Sequence, residues 1–239
     1  MDNSGYVSIQ NMERKWEFRY SAPSPGPKQE LVSAEETERL LLKRLKDETA
    51  APHDALWELA KFYSHTKQHE KALDCLRRIM ASLPDAERKA ACVLAMGQTM
   101  EQVADYPAAI RYYREAFALE PTNTRTWYLI HNNLGFSLNT LGQFSEGERL
   151  CRIAVQIDPD RPNAYKNLGI SLEGQGRYEA AAEYFVQGTK ADASDARSYH
   201  LLLKLLNEHP ELSHRFSAEA ECCRKAVEFA AAERQKSKP

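Results

Sequence analysis

Three prolines in this chain, Pro84, Pro121 and Pro159, stand 37 and 38 residues apart, and a similar stretch of sequence precedes each. Each stretch begins with an apolar-periodic run carrying one small residue, passes a polar turn, and closes with a second periodic run just before the proline. A recurring unit of this length constrains the fold strongly. It describes a piece of supersecondary structure that cannot bury its own apolar stripe and must stack on its neighbours.

The copies align on one small position, occupied by Ala60, Gly97, Gly135 and Gly169. The third reads NNLGFSLNTLGQFSEGERLCRIAVQIDP and the fourth KNLGISLEGQGRYEAAAEYFVQGTKADA, sharing Asn, Leu, Gly, Ser, Leu, a second Gly, an aromatic and Glu. Glycine inside a helix costs about 0.5–1 kcal/mol against alanine. Its return at one register therefore marks a place where two helices approach closely. The second helix supplies a matching small residue at Ala72, Ala109, Gly147 and Ala181, and Tyr106, Phe144 and Tyr178 precede it as plugs for the turn. His69 stands in the aromatic's place in the first copy, and Ala193 stands where the fourth copy should have its proline.

This pattern resembles the tetratricopeptide repeat (TPR), a helix–turn–helix unit of about 34 residues. The resemblance covers roughly 53–193, as four repeats at about 53–86, 90–123, 128–161 and 162–195. It implies an all-α, right-handed α-solenoid in which the first helices line a concave groove. The units are longer than the family's length by about one helical turn. The first helices are expected to extend backwards through 87–91 and 125–129, which places Trp127 either against the preceding unit or as an exposed anchor.

The ends differ in character. Residues 1–32 read as a flexible arm with a Pro-rich linker, 21-SAPSPGPK-28; the alternating run 16-WEFRY-20 is strand-like but has no evident partner. Residues 33–52 read as an N-terminal capping helix that starts with a Ser33–Glu36 capping box and carries Leu41, Leu42 and Leu45 as its buried stripe. Residues 196–239 read as a degenerate fifth repeat and a C-terminal capping helix with Val227 and Phe229.

Composition narrows the function. Lys plus Arg total 32 against 34 Asp plus Glu. A dedicated nucleic-acid binder usually carries a basic excess, so no nucleic-acid partner is expected. No apolar run is long enough for a bilayer, so no membrane partner is expected. The five cysteines are odd in number and lack C-x-x-C spacing; they read as reduced thiols of a cytoplasmic chain. His65 and His69 straddle a turn, and nothing has zinc-ligand spacing, so neither metal nor cofactor is expected. Nucleotide-binding and hydrolase motifs are missing, so the chain reads as no enzyme.

What remains is a protein–protein interaction module, binding an extended peptide or protein segment of unknown identity in the concave groove as adaptor, scaffold or co-chaperone. The register puts Asn133 and Asn167 on the groove side, with Asn132, Phe136, Asn139, Lys166, Ile170, Arg197 and Lys204 around them. Trp57, Lys61, Gln98, Glu101 and His200 extend the set. A side-chain amide can pair with both the N–H and the C=O of an extended peptide. The two asparagines resemble the inward asparagine ladder of some family members, and the same residues could instead tie neighbouring repeats together. The later half, through Lys166, Arg197 and Lys204, favours an acidic segment or a terminal carboxylate, unless these are ordinary solvated charges. Asn167 and Arg197 fit two places of the family's carboxylate clamp, while Phe136 and Leu201 stand where it needs polar or basic residues. The alternative function is self-association into a homo-oligomer through the terminal helix or the N-terminal arm.

Overall fold

The computed structural model describes residues 6–12, 15–21, 29–31, 33–47, 52–192 and 195–236. Among the described residues lie three strands, eleven α-helices and one 3-10 turn, in two compact units, Met1–Ala104 and Asp105–Pro239.

The first unit opens with a correction. The run 16–20 does have partner strands. Strand β2 (Lys15–Ser21) lies between β1 (Tyr6–Met12) and β3 (Gln29–Leu31) in an antiparallel sheet. The β1–β2 register sets Val7 opposite Tyr20, Ile9 opposite Phe18 and Asn11 opposite Trp16. A strand's partner lies outside its own segment, so the sequence of β2 alone does not reveal it. Residues 22–28 of the Pro-rich stretch lie outside the described residues.

Helix α1 (Ala34–Asp47) starts where Ser33 Oγ accepts a hydrogen bond from Glu36 N at 3.1 Å. The reciprocal half of the expected capping box is replaced, because the Glu36 carboxylate turns to Arg39. Leu41 is buried and Leu45 half-buried, but Leu42 is exposed, so the expected stripe is narrower by one leucine. Glu38 fastens α1 to the first repeat, formed by α2 (Pro52–His65) and α3 (His69–Met80), accepting from Tyr63 Oη at 2.9 Å and Lys71 Nζ at 3.1 Å. Helix α4 (Ala86–Gln102) packs on α3 and ends the unit.

The second unit holds α5 (Tyr106–Ala118), α6 (Thr124–Thr140), α7 (Phe144–Ile157), α8 (Pro162–Glu173), α9 (Tyr178–Ala191), α10 (Ala196–Glu208), a 3-10 turn (Pro210–Leu212) and α11 (Ser217–Lys236). Each helix packs on its predecessor from α5 to α11, and α6, α8 and α10 also pack in order as next-but-one neighbours. Its core is built from Leu168, Leu172, Phe185, Leu202, Leu205 and their neighbours.

The extra turn appears as expected. Helices α4 and α6 are 17 residues long, against 14 in α2 and 12 in α8. Asp85 and Asn123 cap them, accepting from Arg88 N at 2.7 Å and Thr126 N at 3.0 Å. Trp127 stacks on Phe117 of the preceding helix, ring centroids 5.0 Å apart, so it packs within the array.

The small positions are close contacts. A Cβ on Gly135 would stand 2.6 Å from Cys151 Sγ, and one on Gly169 would stand 2.4 Å from the Phe185 ring. Ala60, Ala72, Ala109 and Ala181 are buried, as are Gly97 and Gly147. Of the prolines, Pro121 is buried while Pro84 and Pro159 are exposed. The turns between paired helices reverse through one left-handed residue, Gly142 (φ 76°) and Gly176 (φ 73°). Lys67 and Ala104 hold the same conformation without being glycine (φ 60° each). Phe144 plugs its turn against Gly174, and Tyr106 meets Phe136 edge-on at 6.1 Å. Tyr178 departs from that role: it is exposed and stacks on His209 at 3.5 Å. Ala193 and the Phe229 side chain lie outside the described residues; Val227 is half-buried against the core.

Candidate binding face on helices α6, α8 and α10

The residues singled out from the sequence of the second unit gather on the neighbouring helices α6, α8 and α10. Asn132, Asn139, Lys166 and Asn167 are buried, Asn133, Phe136 and Ile170 are half-buried, and Arg197 and Lys204 are exposed. Trp57, Lys61, Gln98 and Glu101 belong to the first unit, on α2 and α4, where Lys61 pairs with Glu58 at 2.9 Å.

The asparagines form a chain. Asn167 Nδ2 on α8 donates to Asn132 Oδ1 on α6 at 3.0 Å, and Asn132 Nδ2 donates to Asn133 Oδ1 at 3.0 Å. Beside it, Asn139 Nδ2 donates to the Asn167 carbonyl at 2.8 Å, and Ser171 Oγ donates to Asn139 Oδ1 at 2.8 Å. These contacts tie α6 to α8, so the repeat-joining role of Asn132, Asn139 and Asn167 is seen directly. Buried amides lose free energy unless paired, and the network pairs them with one another. Asn133 differs. It accepts from Asn132, while its own Nδ2 has no hydrogen-bond partner among the described residues.

The basic half of the face is held in ion pairs. Lys166 forms an ion pair with Asp195, both largely shielded from water. Arg197 Nε reaches the other Asp195 oxygen at 3.2 Å and its Nη2 donates to Asn163 Oδ1 at 3.3 Å. Lys204 pairs with Glu173 at 2.9 Å and Glu208 at 3.5 Å. Burial pushes the Asp195 carboxyl up, but the Lys166 ammonium, with help from Arg197, outweighs it and holds the group below the usual carboxylate range. Lys166 and Arg197 share the one Asp195 carboxylate, and Arg197 keeps most of its side chain exposed, so the pairing at this end of the face is partial. Asp195, Glu173, Asn163 and Ser171 were missed from the sequence. Asp195 alone carried a signal, as a helix-capping residue that also accepts from Arg197 N at 3.2 Å.

Chemically, the face offers an oriented amide donor in Asn133, partly exposed apolar surface at Phe136 and Ile170, and paired charges at its rim. Among the described residues no group of His, Cys, Asp and Glu is placed to hold a metal ion. No helix there is long and apolar enough to cross a membrane. All five cysteines are free, with only Cys222 exposed.

Comparison with known proteins agrees with the repeat pattern. Tetratricopeptide-repeat family models match residues 53–120 and 162–195. Human tetratricopeptide repeat protein 7B is 33% identical over 98 residues, which are 41% of this chain and 11% of that protein. The Hsp70-Hsp90 organising protein of Plasmodium falciparum is 24% identical over 114 residues, 48% of this chain and 44% of that protein. The chain thus spans less than half the length of either relative. Among solved structures, BtubC (BKLC) from P. vanneervenii superposes with a TM-score of 0.67 at 15% identity, covering 84% of this chain and 89% of that one. At such identity the likeness concerns the fold alone. With two family matches and a helix–turn–helix register that recurs at Gly135 and Gly169, residues 53–120 and 162–195 of this chain are tetratricopeptide repeats.

Proposed function

We propose that this chain is a non-catalytic protein-interaction module that holds an extended segment of a partner protein across α6, α8 and α10. The observation that carries this reading is the half-buried Asn133, Phe136 and Ile170 on neighbouring helices, an amide donor beside apolar surface. An extended backbone carries one donor and one acceptor per residue, and such a face satisfies it without demanding a particular side chain. The similarity to a chaperone-organising protein supports a protein partner, and an adaptor or co-chaperone role in the cytoplasm is consistent with it.

Site-specific photo-crosslinking tests the reading. A photoreactive residue at His200, exposed on α10, is compared with one at Gln156, exposed on α7. Partner crosslinks concentrated at position 200 are expected; crosslinks found at position 156 and missing at 200 would overturn it.

A second reading, self-association into a homo-oligomer, draws on β1. This seven-residue strand carries no charge or proline, and β2 is its one hydrogen-bonded neighbour among the described residues. Long uncharged edges invite pairing. Sedimentation velocity across the micromolar range decides it: a concentration-dependent mass abolished by Ile9→Pro supports self-association, and a constant monomer mass refutes it.

A further inference from the structure

In the second unit, polar side chains bridge the second helices α7 and α9. Arg152 Nη1 donates to Tyr184 Oη at 2.9 Å, and Glu148 accepts from Arg177 Nη1, at the head of α9, at 3.0 Å. In the first unit α1 stands beside α3 as a second helix would, each of them packed on α2. Here Glu38 crosses from α1 to Lys71 on α3, and Tyr63 Oη donates to the same carboxylate. One helical turn on from Glu38, the space between the helices opens. Among the described residues, Leu42 and Leu45 of α1, Leu59 and Tyr63 of α2 and Cys75 of α3 wall a cavity of about 330 Å³. Leu42 is exposed while Leu59 and Cys75 are buried, so the cavity runs inward from the surface at Leu42.

These walls are apolar. Burial pushes the Cys75 thiol up, which keeps it protonated and uncharged at neutral pH. The charged residues along the cavity all belong to α3: Glu70, Lys71, Asp74 and Arg78, two of each sign. Lys71 lies over the Tyr63 ring, 4.9 Å from its centre, and Arg78 stands 4.0 Å from Asp74. A charged ligand of either sign would meet two side chains of its own sign, and would leave part of its hydration behind to enter apolar walls. A neutral ligand meets neither cost. Concave sites of this size, apolar with a few polar groups, are the usual form of a small-molecule site. An apolar cavity of about 150 Å³ takes one benzene ring, so this one has room for about two fused rings.

We infer that the cavity between α1, α2 and α3 binds a compact neutral molecule of about two fused apolar rings, which enters past Leu42 and rests on Leu59. The site belongs to the first unit, and the inference does not depend on the binding role proposed for α6, α8 and α10.

Methyl NMR of the full chain tests it, with indole as the probe. The ring current of bound indole should move the methyl resonances of Leu42, Leu45 and Leu59 in a saturable way, while those of Leu168, Leu172 and Leu202 in the second unit stay in place. Indole-3-acetate and tryptamine carry the same rings with a negative and a positive charge, and should bind no more tightly than indole. Leu42→Trp sets the chain's own indole at the mouth of the cavity. It should weaken added indole by at least about tenfold, the lower end of what one methylene of misfit costs in an apolar pocket. Leu42 is exposed, so the variant is expected to fold, and thermal unfolding checks this; Leu45→Phe fills the same space from the next turn of α1 as a second variant. Shifts that grow without saturating, shifts confined to the second unit, or equal affinity in the parent and both variants would overturn the site. Binding of either charged analogue about tenfold tighter than indole would overturn the neutral class of ligand.

Discussion

Replacing Gly147 with alanine should destabilise the protein, although alanine is the usual small residue at this register and is the better helix former. A Cβ at position 147 would stand 2.1 Å from Asn139 Oδ1, 2.9 Å from its Cγ and 3.1 Å from the Gly135 carbonyl oxygen. The Asn139 amide must rotate away. It then loses two bonds at once, its donation to the Asn167 carbonyl and its acceptance from Ser171 Oγ, each at 2.8 Å. Ser171 Oγ and the Asn167 carbonyl keep each other at 2.9 Å, so the buried Asn139 amide is the group left with an unpaired donor and an unpaired acceptor. A buried polar group left without its partner costs about 1–3 kcal/mol, giving about 2–5 kcal/mol for the two bonds. The helix-propensity gain of alanine over glycine offsets about 0.5–1 kcal/mol of this. The net expectation is a loss of about 2–4 kcal/mol, read by urea unfolding of the full chain. The same substitution on an Asn139→Ala background meets no amide oxygen and should be neutral or mildly stabilising. An equal cost on both backgrounds, or a gain in the parent, would refute the reasoning, because the two positions would not be coupled.

Other expectations follow from the same contacts. Ala104, held at φ 60°, should accept glycine with a gain of about 0.5–1 kcal/mol, while Gly142→Ala at φ 76° should lose about that much, both by urea midpoint. Asp195→Asn leaves the buried Lys166 charge unpaired and should cost about 2–4 kcal/mol, much of it recovered in the Lys166→Met/Asp195→Asn double variant. Burial holds the His131 imidazole below its ordinary value of 6.5, so the unfolded chain takes up the proton first and stability falls as pH drops below about 6.5; His131→Gln should show a shallower slope between about pH 5 and 7.

The helical repeat was legible because its constraints are local or periodic. Gly135 and Gly169 announce close approaches by accepting a cost that alanine would avoid, and Ser33 announces a helix start by its side-chain chemistry. The longer α4 and α6 followed from repeat spacing. The sheet was not legible from 16–20, since a strand's partner is a property of two segments, and the sequence between 12 and 15 carries no Asn-Gly or other glycine signal. The face was legible in position and not in chemistry. Helical periodicity places Lys166, Arg197 and Lys204 together, yet says nothing of Asp195 and Glu173, whose approach depends on the register between neighbouring helices. The same holds for Asn132 and Asn167, joined across 35 residues. Reading either asparagine alone leaves its partner out, and with it the difference between an amide spent on packing and the one at Asn133 that remains open.

Side-chain amide NMR is the most direct measurement of the binding claim. The NH₂ resonances of Asn133 on α6, Gln156 on α7 and Gln187 on α9 report three positions of the second unit, the last two exposed to solvent. On titration with the extended segment of a crosslinked partner, the account predicts that the Asn133 pair shifts downfield as it gains an acceptor, while Gln156 and Gln187 stay in place. Shifts confined to Gln156 or Gln187, with Asn133 unmoved at saturation, would contradict it.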